Sequence, residues 1–310
     1  MTTSPLQHKV VVITGANRGI GFEFTNQLLF TEVPSLELLS HSQHCGRFTV
    51  VATTRIIDQN HWSPIQEKLQ AFNKQHESTP GYIPRELSVQ QCDVTNITDI
   101  QNLCEFVRDQ LSSRIDLLIA NAGIIEPNPS TTITDLKSFD PAVNIFTTNS
   151  IAPIILTNNL IPFLITALTN LSQDQSSDVV PTAFDSTINP GVNLKQGTPT
   201  NSRQVVQCVY ISSTMGSLAL TNMPLCPTYR ASKCALNMYI KTLAIQYPKI
   251  SFLPLSPGWV ATDMGSRGGR TPPTTPKDSV SGMFNQMNLH CFEMDSAARI
   301  YSFDDEDIPW

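Results

Sequence analysis

Lys9 to Thr14 (KVVVIT) is a short, unbroken apolar run rich in β-branched residues, and it leads straight into Gly15-Ala16-Asn17-Arg18-Gly19-Ile20-Gly21. A run of that length reads as a buried strand. The apolar positions beyond the glycines, Phe22, Phe24, Leu28 and Leu29, read as one face of a helix. Buried strand, glycine turn and amphipathic helix, in that order, open a βαβ unit that binds a dinucleotide, and no other stretch constrains the chain as much. The glycines do separate jobs: one permits the sharp turn, and the others let backbone and helix come close to a pyrophosphate. The helix start adds unpaired N–H groups and the positive end of its dipole. The glycines stand at 15, 19 and 21, which is not the GxGxxG spacing.

The same alternation continues downstream. Strands are expected at Phe48–Thr54, Leu87–Gln91, Ile115–Ala120, Val205–Ile211, Ile250–Leu255 and Ala298–Phe303. Helices are expected from Ser63 (as N-cap, with Pro64 at the first helical position) to near His76, and over Thr98–Leu111, Asn144–Leu168, Pro227–Tyr247 and Ser279–Leu289. Strand and helix in turn predict an α/β fold: a Rossmann-type doubly wound parallel sheet with helices on both faces, in a single domain spanning residues 1–310. Two polar stretches, Pro34–Arg47 and Leu171–Arg203, read as surface insertions.

Ligands of such sheets sit beyond the carboxyl ends of the strands. Gly15 to Gly21, Arg55, Asp93, Asn121, Ser213 and Gly258 all fall at such ends, so one edge collects the notable residues. After the second strand a dinucleotide fold usually carries an acid for the ribose 2′-hydroxyl, but here Thr54 and Arg55 follow. A missing acid beside an arginine suits a 2′-phosphate, which favours NADP over NAD, with Arg18 as a second positive charge. Tyr229 and Lys233 are four apart on a helix and so share a face. A phenol ordinarily releases its proton near pH ~10; an ammonium close by is expected to bring that to ~7, a shift of about three units or ~4 kcal/mol. That would match Tyr229 to proton donation at neutral pH.

Bulk properties narrow the field. The net charge is −6 and no basic run occurs, which argues against nucleic acid as a partner. Seven scattered cysteines without a CxxC pair read as reduced thiols of a cytoplasmic protein. His41, His44 and Cys45 lack a second half-site, so no metal is expected. Met1–His8 does not look like a signal peptide. Ile151–Leu168 is apolar but interrupted by Pro153, Asn158, Asn159 and Pro162, which favours a buried helix over a membrane span.

Taken together, these motifs resemble the short-chain dehydrogenase/reductase family over nearly the whole chain, Lys9 to Trp310. Thr14 to Gly21 fits that family's own glycine pattern. Asp93-Val94 resembles its adenine-contacting pair, and Asn121-Ala122-Gly123 its signature after the fourth strand. Asn149, Ser213, Tyr229 and Lys233 match its catalytic four, with Ser212 the alternative serine. Pro257 to Met264 and the Pro309-Trp310 end are similar to the C-factor and Sniffer-type carbonyl reductase branch. The resemblance implies reduction of an aldehyde, ketone or quinone by hydride transfer, with Tyr229 donating the proton and Ser213 stabilising the oxygen. Lys233 would lower the tyrosine's pKa and hold the nicotinamide ribose, and Asn149 would steady a proton-relaying water. Cofactor contacts are expected from Gly15, Asn17, Arg18, Gly19, Ile20, Gly21, Arg55, Asp93, Val94, Asn121, Ala122, Gly123, Tyr229, Lys233, Pro257, Gly258, Val260 and Thr262. A homodimer or homotetramer is also implied. The alternative reading is a catalytically silent NAD(P)-binding regulator or scaffold.

Overall fold

Successive valines of the first strand, β1 (Gln7–Ile13), point into two separate cores. Val10 and Val12 belong to one and Val11 and Ile13 to the other, all fully buried, as period-two alternation in a sheet covered on both faces requires. The computed structural model describes residues 7–31, 45–79, 82–172, 206–290 and 299–310. The other strands are β2 (Cys45–Thr54), β3 (Arg85–Gln91), β4 (Leu117–Ala120), β5 (Val206–Ile211), β6 (Ile250–Ser256), β7 (Ile300–Ser302) and β8 (Asp307–Ile308). They form one sheet in the order β3-β2-β1-β4-β5-β6-β7-β8. All neighbours are parallel except β7 and β8. This is the expected doubly wound sheet, with a short antiparallel edge strand added that the acidic stretch after Phe303 did not announce.

The helices are α1 (Gly19–Phe30), α2 (Gln59–His76), α3 (Ile97–Gln110), α4 (Phe139–Phe146), α5 (Ala152–Ser172), α6 (Pro227–Gln246) and α7 (Pro276–His290). Phe24, Trp62 and Met283, from α1, α2 and α7, cover the face reached by Val11; Leu103, Leu160 and Ile240, from α3, α5 and α6, cover the other. Strand order reverses between β1 and β4: the chain builds outward through β2 and β3, then returns to the far side of β1. A crevice at the carboxyl ends of the strands belongs at that reversal.

Two boundaries differ from expectation. Ser63 does not cap α2; Asp58 does, its carboxylate accepting from the Asn60 N–H at 3.0 Å. Pro64 then lies inside the helix, where it has no N–H for the Asn60 carbonyl. The helix expected from Asn144 begins earlier, at Phe139, and is broken by a π-helical turn at Thr147–Ile151. Residues 139–168 make a helix long and apolar enough to cross a membrane by composition. It packs on the sheet through Leu156, Leu160 and Leu164, with Thr157 Oγ1 2.7 Å from the Tyr210 hydroxyl. Most of both polar insertions, with His41 and His44, lies outside the described residues.

Candidate functional site

The glycine turn is built by close approach. Gly15 and Gly19 take the left-handed conformation, with φ of +63° and +56°. A side chain on Gly21 would overlap the Gly15 carbonyl oxygen and the Asn121 amide. That amide is part of the construction: Asn121 Nδ2 donates to the carbonyl oxygens of Thr14 (2.8 Å) and Gly15 (3.1 Å). Thr14 Oγ1 in return accepts from the N–H groups of Asn121 and Ala122, both at 3.0 Å. So the end of β4 holds the turn after β1 in shape across the strand reversal. Helix α1 then starts with no side-chain cap and no acid in its first turn, leaving its N–H groups and dipole suited to an anion. Asn17 and Arg18 are exposed on the turn and Ile20 is half-buried.

At the end of β2, Thr53 and Thr54 are buried and Arg55 is exposed, with no ion pair among the described residues. The next acid, Asp58, is occupied as the cap of α2. Arg18, offered by the sequence as the second positive charge, instead meets Asp263 at 2.7 Å. Both side chains are largely exposed, 61% and 73%, so the pair is weak and open to exchange. Asp93 uses one oxygen to accept from the Thr95 N–H and hydroxyl, and Val94 beside it is buried.

The candidate proton-transfer groups come from the end of β5, from α6 and from the π-helical turn. Ser212 and Ser213 diverge: the Ser212 hydroxyl is buried and donates to Asn237 Oδ1 at 2.6 Å, whereas Ser213 faces the Tyr229 phenol. Alternation at a strand end thus decides between the two serines, in favour of Ser213. Tyr229 and Lys233 lie buried on one face of α6, the ammonium 5.7 Å from the ring centroid. A side chain on Gly123 would lie 3.3 Å from Asn149 Oδ1 and 3.7 Å from Lys233 Nζ, so these groups close on one point. The Tyr229 ring packs against Ile125, Cys226, Met215 and Met264.

The electrostatics differ from the sequence reading. Burial pushes the Tyr229 phenol up to about 12, the Ser213 hydrogen bond drawing it down and Cys226 and Glu126 adding to the rise. Lys233 does not bring it toward neutrality, because its ammonium donates to the Ile211 carbonyl at 2.6 Å, and burial lowers its own pKa to about 8. Asn149 is tied to the backbone on both sides of its amide. Its Oδ1 accepts from the Ile124 N–H, and its Nδ2 donates to the Ile124 carbonyl and to Ser232 Oγ. The π-helical turn points this amide inward, where it ties the segment after β4 to α6.

The segment after β6 closes the site. Gly258 has φ +76° and lies on the Phe303 ring, and the Pro257 carbonyl accepts from Ser279 Oγ at 2.7 Å. Val260 is buried and bridges to Thr274, and the Thr262 methyl lies 3.2 Å from where a side chain on Gly19 would begin. Thr262 therefore borders the glycine turn. Sequence reasoning missed Glu126, buried beneath the start of α6, and Arg267, which donates to the Ile125 and Glu126 carbonyls. A single acid in a loop carries no spacing that would reveal either contact.

Comparison with known proteins bears on the fold. The family model for short chain dehydrogenase matches residues 61–180. The chain is 25% identical to the C-signal protein of Myxococcus xanthus over 207 residues, 66% of this chain and 98% of that one. Its fold is similar to the NADPH-bound carbonyl reductase from chicken fatty liver, at 26% identity and a TM-score of 0.68, covering 98% of this chain and 100% of that one. It also resembles the carbonyl reductase Sniffer of D. melanogaster at 20% identity and a TM-score of 0.64, covering 97% and 99%, a likeness that bears on fold alone. By the matched segment, by its curated relatives and by its fold, the chain is similar to the short-chain dehydrogenase/reductase family.

Proposed function

We propose that residues 1–310 act as one catalytic unit that reduces a small aldehyde, ketone or quinone with NADPH. The observation that carries this reading is the trio of Ser213 hydrogen-bonded to the Tyr229 phenol and Lys233 beside the Tyr229 ring, with the Lys233 ammonium 3.7 Å from where a side chain on Gly123 would begin. The residues fit the cofactor. The uncapped start of α1 and Gly15, Gly19 and Gly21 suit a pyrophosphate, with Asn17 and Ile20 on the rim. Arg55 suits a 2′-phosphate, and Arg18 would join it by leaving Asp263. Asp93 and Val94 would border the adenine, and Asn121, Ala122 and Gly123 the middle of the molecule. Pro257, Gly258, Val260 and Thr262 would flank the nicotinamide. The relative solved with NADPH bound supports the same choice of cofactor.

Bound NADPH supplies a hydride to the carbonyl carbon. As charge grows on the carbonyl oxygen, Tyr229 gives it the phenolic proton and Ser213 donates a hydrogen bond to it. The raised pKa keeps Tyr229 protonated at working pH, the form that reduction needs. Lys233 supplies positive charge next to the phenolate left behind, and Asn149 keeps the segment at Ile124 seated on α6. The test is oxidation of NADPH, against NADH, over a panel of aldehydes, ketones and quinones, with wild type and Tyr229→Phe. Wild-type turnover favouring NADPH is expected, with loss of about a thousandfold in the variant and near-normal NADPH binding. No turnover by the wild type on any carbonyl, or undiminished turnover in the variant, overturns the reading.

A further inference from the structure

Helix α6 carries the proton donor three residues from its start, yet it does not cap itself. Its N-cap residue is Cys226, held at φ 53° with no side-chain bond to the helix; the thiol turns instead to the Pro129 carbonyl at 3.3 Å. The N–H groups of Thr228 and Tyr229 are met by a carboxylate from a different part of the chain. Glu126 Oε1 accepts from both, at 2.8 and 3.0 Å. Glu126 is 3% exposed, and its Oε2 is buried with no hydrogen-bond partner. An acid in that place satisfies two of the helix's free donors and complements the positive end of its dipole.

The contacts around Glu126 show what it joins. Its carbonyl and that of Ile125 accept from Arg267 Nη1, at 3.2 and 3.4 Å, in the segment after β6. Ile124, two residues before it, is held through both its backbone groups by Asn149. Residues 124–126 therefore link the π-helical turn, the segment after β6 and the first turn of α6. Of these links, only the Glu126 carboxylate reaches the backbone of Tyr229 itself.

We propose that Glu126 is a positioning residue for the proton donor: its carboxylate fixes the start of α6, and with it the place of the Tyr229 hydroxyl against Ser213. This rests on the reductase reading above. Moving a reacting group by an ångström costs rate without unfolding the protein, so the effect belongs in kcat. Glu126→Ala removes the anchor, whereas Glu126→Gln keeps an oxygen acceptor in the same position. For Glu126→Ala we expect kcat to fall roughly ten- to a hundredfold, with the NADPH dissociation constant unchanged, and for Glu126→Gln recovery of most of that loss. Hydrogen exchange at the Thr228 and Tyr229 amides is expected to quicken in Glu126→Ala and to stay slow in Glu126→Gln. A structural role alone would lower the melting temperature of Glu126→Ala and leave kcat per folded molecule intact, which would overturn the proposal. So would amide protection and kcat at wild-type levels in Glu126→Ala, or, should that variant not fold, a Glu126→Gln kcat as low as that of Tyr229→Phe. The exchange measurement needs no substrate. Absence of any wild-type reductase activity would therefore sink the functional reading while protection still reported on the anchor.

Discussion

Lys233 shows what the site costs the fold. Its ammonium is buried and donates to the Ile211 carbonyl, with no acid paired to it among the described residues, so the folded state disfavours its charge and lowers its pKa from an ordinary 10.5 to about 8. Below about 8 the group is charged in both states, and folding carries the whole penalty. Between about 8 and 10.5 the unfolded chain binds more protons than the folded one, so stability rises with pH. Above that window the penalty is gone. The shift corresponds to about 3 kcal/mol. Lys233→Met should therefore be more stable than wild type at neutral pH by up to about that amount, and inactive. Denaturant midpoints of the two proteins at pH 7 and pH 10 check this: the advantage should shrink at the higher pH. A variant less stable than wild type at both would contradict it. The Tyr229–Lys233 pair was legible because helical spacing alone puts the two on one face. The direction of their pKa shifts was not, because it depends on burial and on a carbonyl contributed by β5. Ser213 could be chosen over Ser212 by its pattern, but the physical reason, Ser212 turned inward to Asn237, required the helix beside it.

At the scale of elements, β1 and β4 are pinned at the end opposite the site. Asp116, just before β4, accepts from Lys9 Nζ at 3.1 Å, from the Val10 N–H at 2.9 Å and from two Arg114 nitrogens, and all three side chains are nearly fully buried. Burial alone would raise the Asp116 pKa, but Lys9 and Arg114 outweigh it and hold the carboxyl below its usual range. A depressed carboxylate adds stability above its unfolded value, near ~4, and loses it as pH falls through the folded value. Asp116→Asn leaves two buried cations without a full partner and should cost about 3–5 kcal/mol at pH 7. Chemical denaturation of both proteins from pH 7 down to pH 3 should show that gap narrowing in acid. A gap that is small and constant would mean the cluster does not hold the strands. Strands were the most legible elements, since apolar runs such as KVVVIT and VVQCVYI mark strands buried on both faces. Helix ends were less so. Asp58 and Ser63 are both good caps, and the choice between them rests on where Trp62 must point to reach the core. The π-helical turn changes the helical repeat locally at Thr147–Ile151, and periodicity cannot locate it.

Over the whole molecule, the candidate site and the points where the two polar insertions attach lie at opposite edges of the sheet. Every strand of the parallel set delivers its carboxyl end toward the glycine turn and Tyr229, so each returning helix ends at the other edge. Both polar insertions join the end of a helix to the start of a strand: residues 32–44 lie between α1 and β2, and residues 173–205 between α5 and β5. Their attachment points, Thr31, Cys45, Ser172 and Val206, therefore belong to the edge away from the site. The sequence showed these stretches as breaks in the rhythm of strand and helix, but could not say which edge they leave from until the strand order was known. Loop length has a shallow effect on stability, each doubling changing it by about 0.6 kcal/mol. Replacing residues 173–205 with a glycine-serine linker should thus leave the fold, the NADPH dissociation constant and kcat near their wild-type values. The check is a melting curve, a cofactor titration and turnover on whichever carbonyl the intact chain reduces. Loss of cofactor binding with the fold retained would show that the segment serves the carboxyl edge despite attaching at the other one.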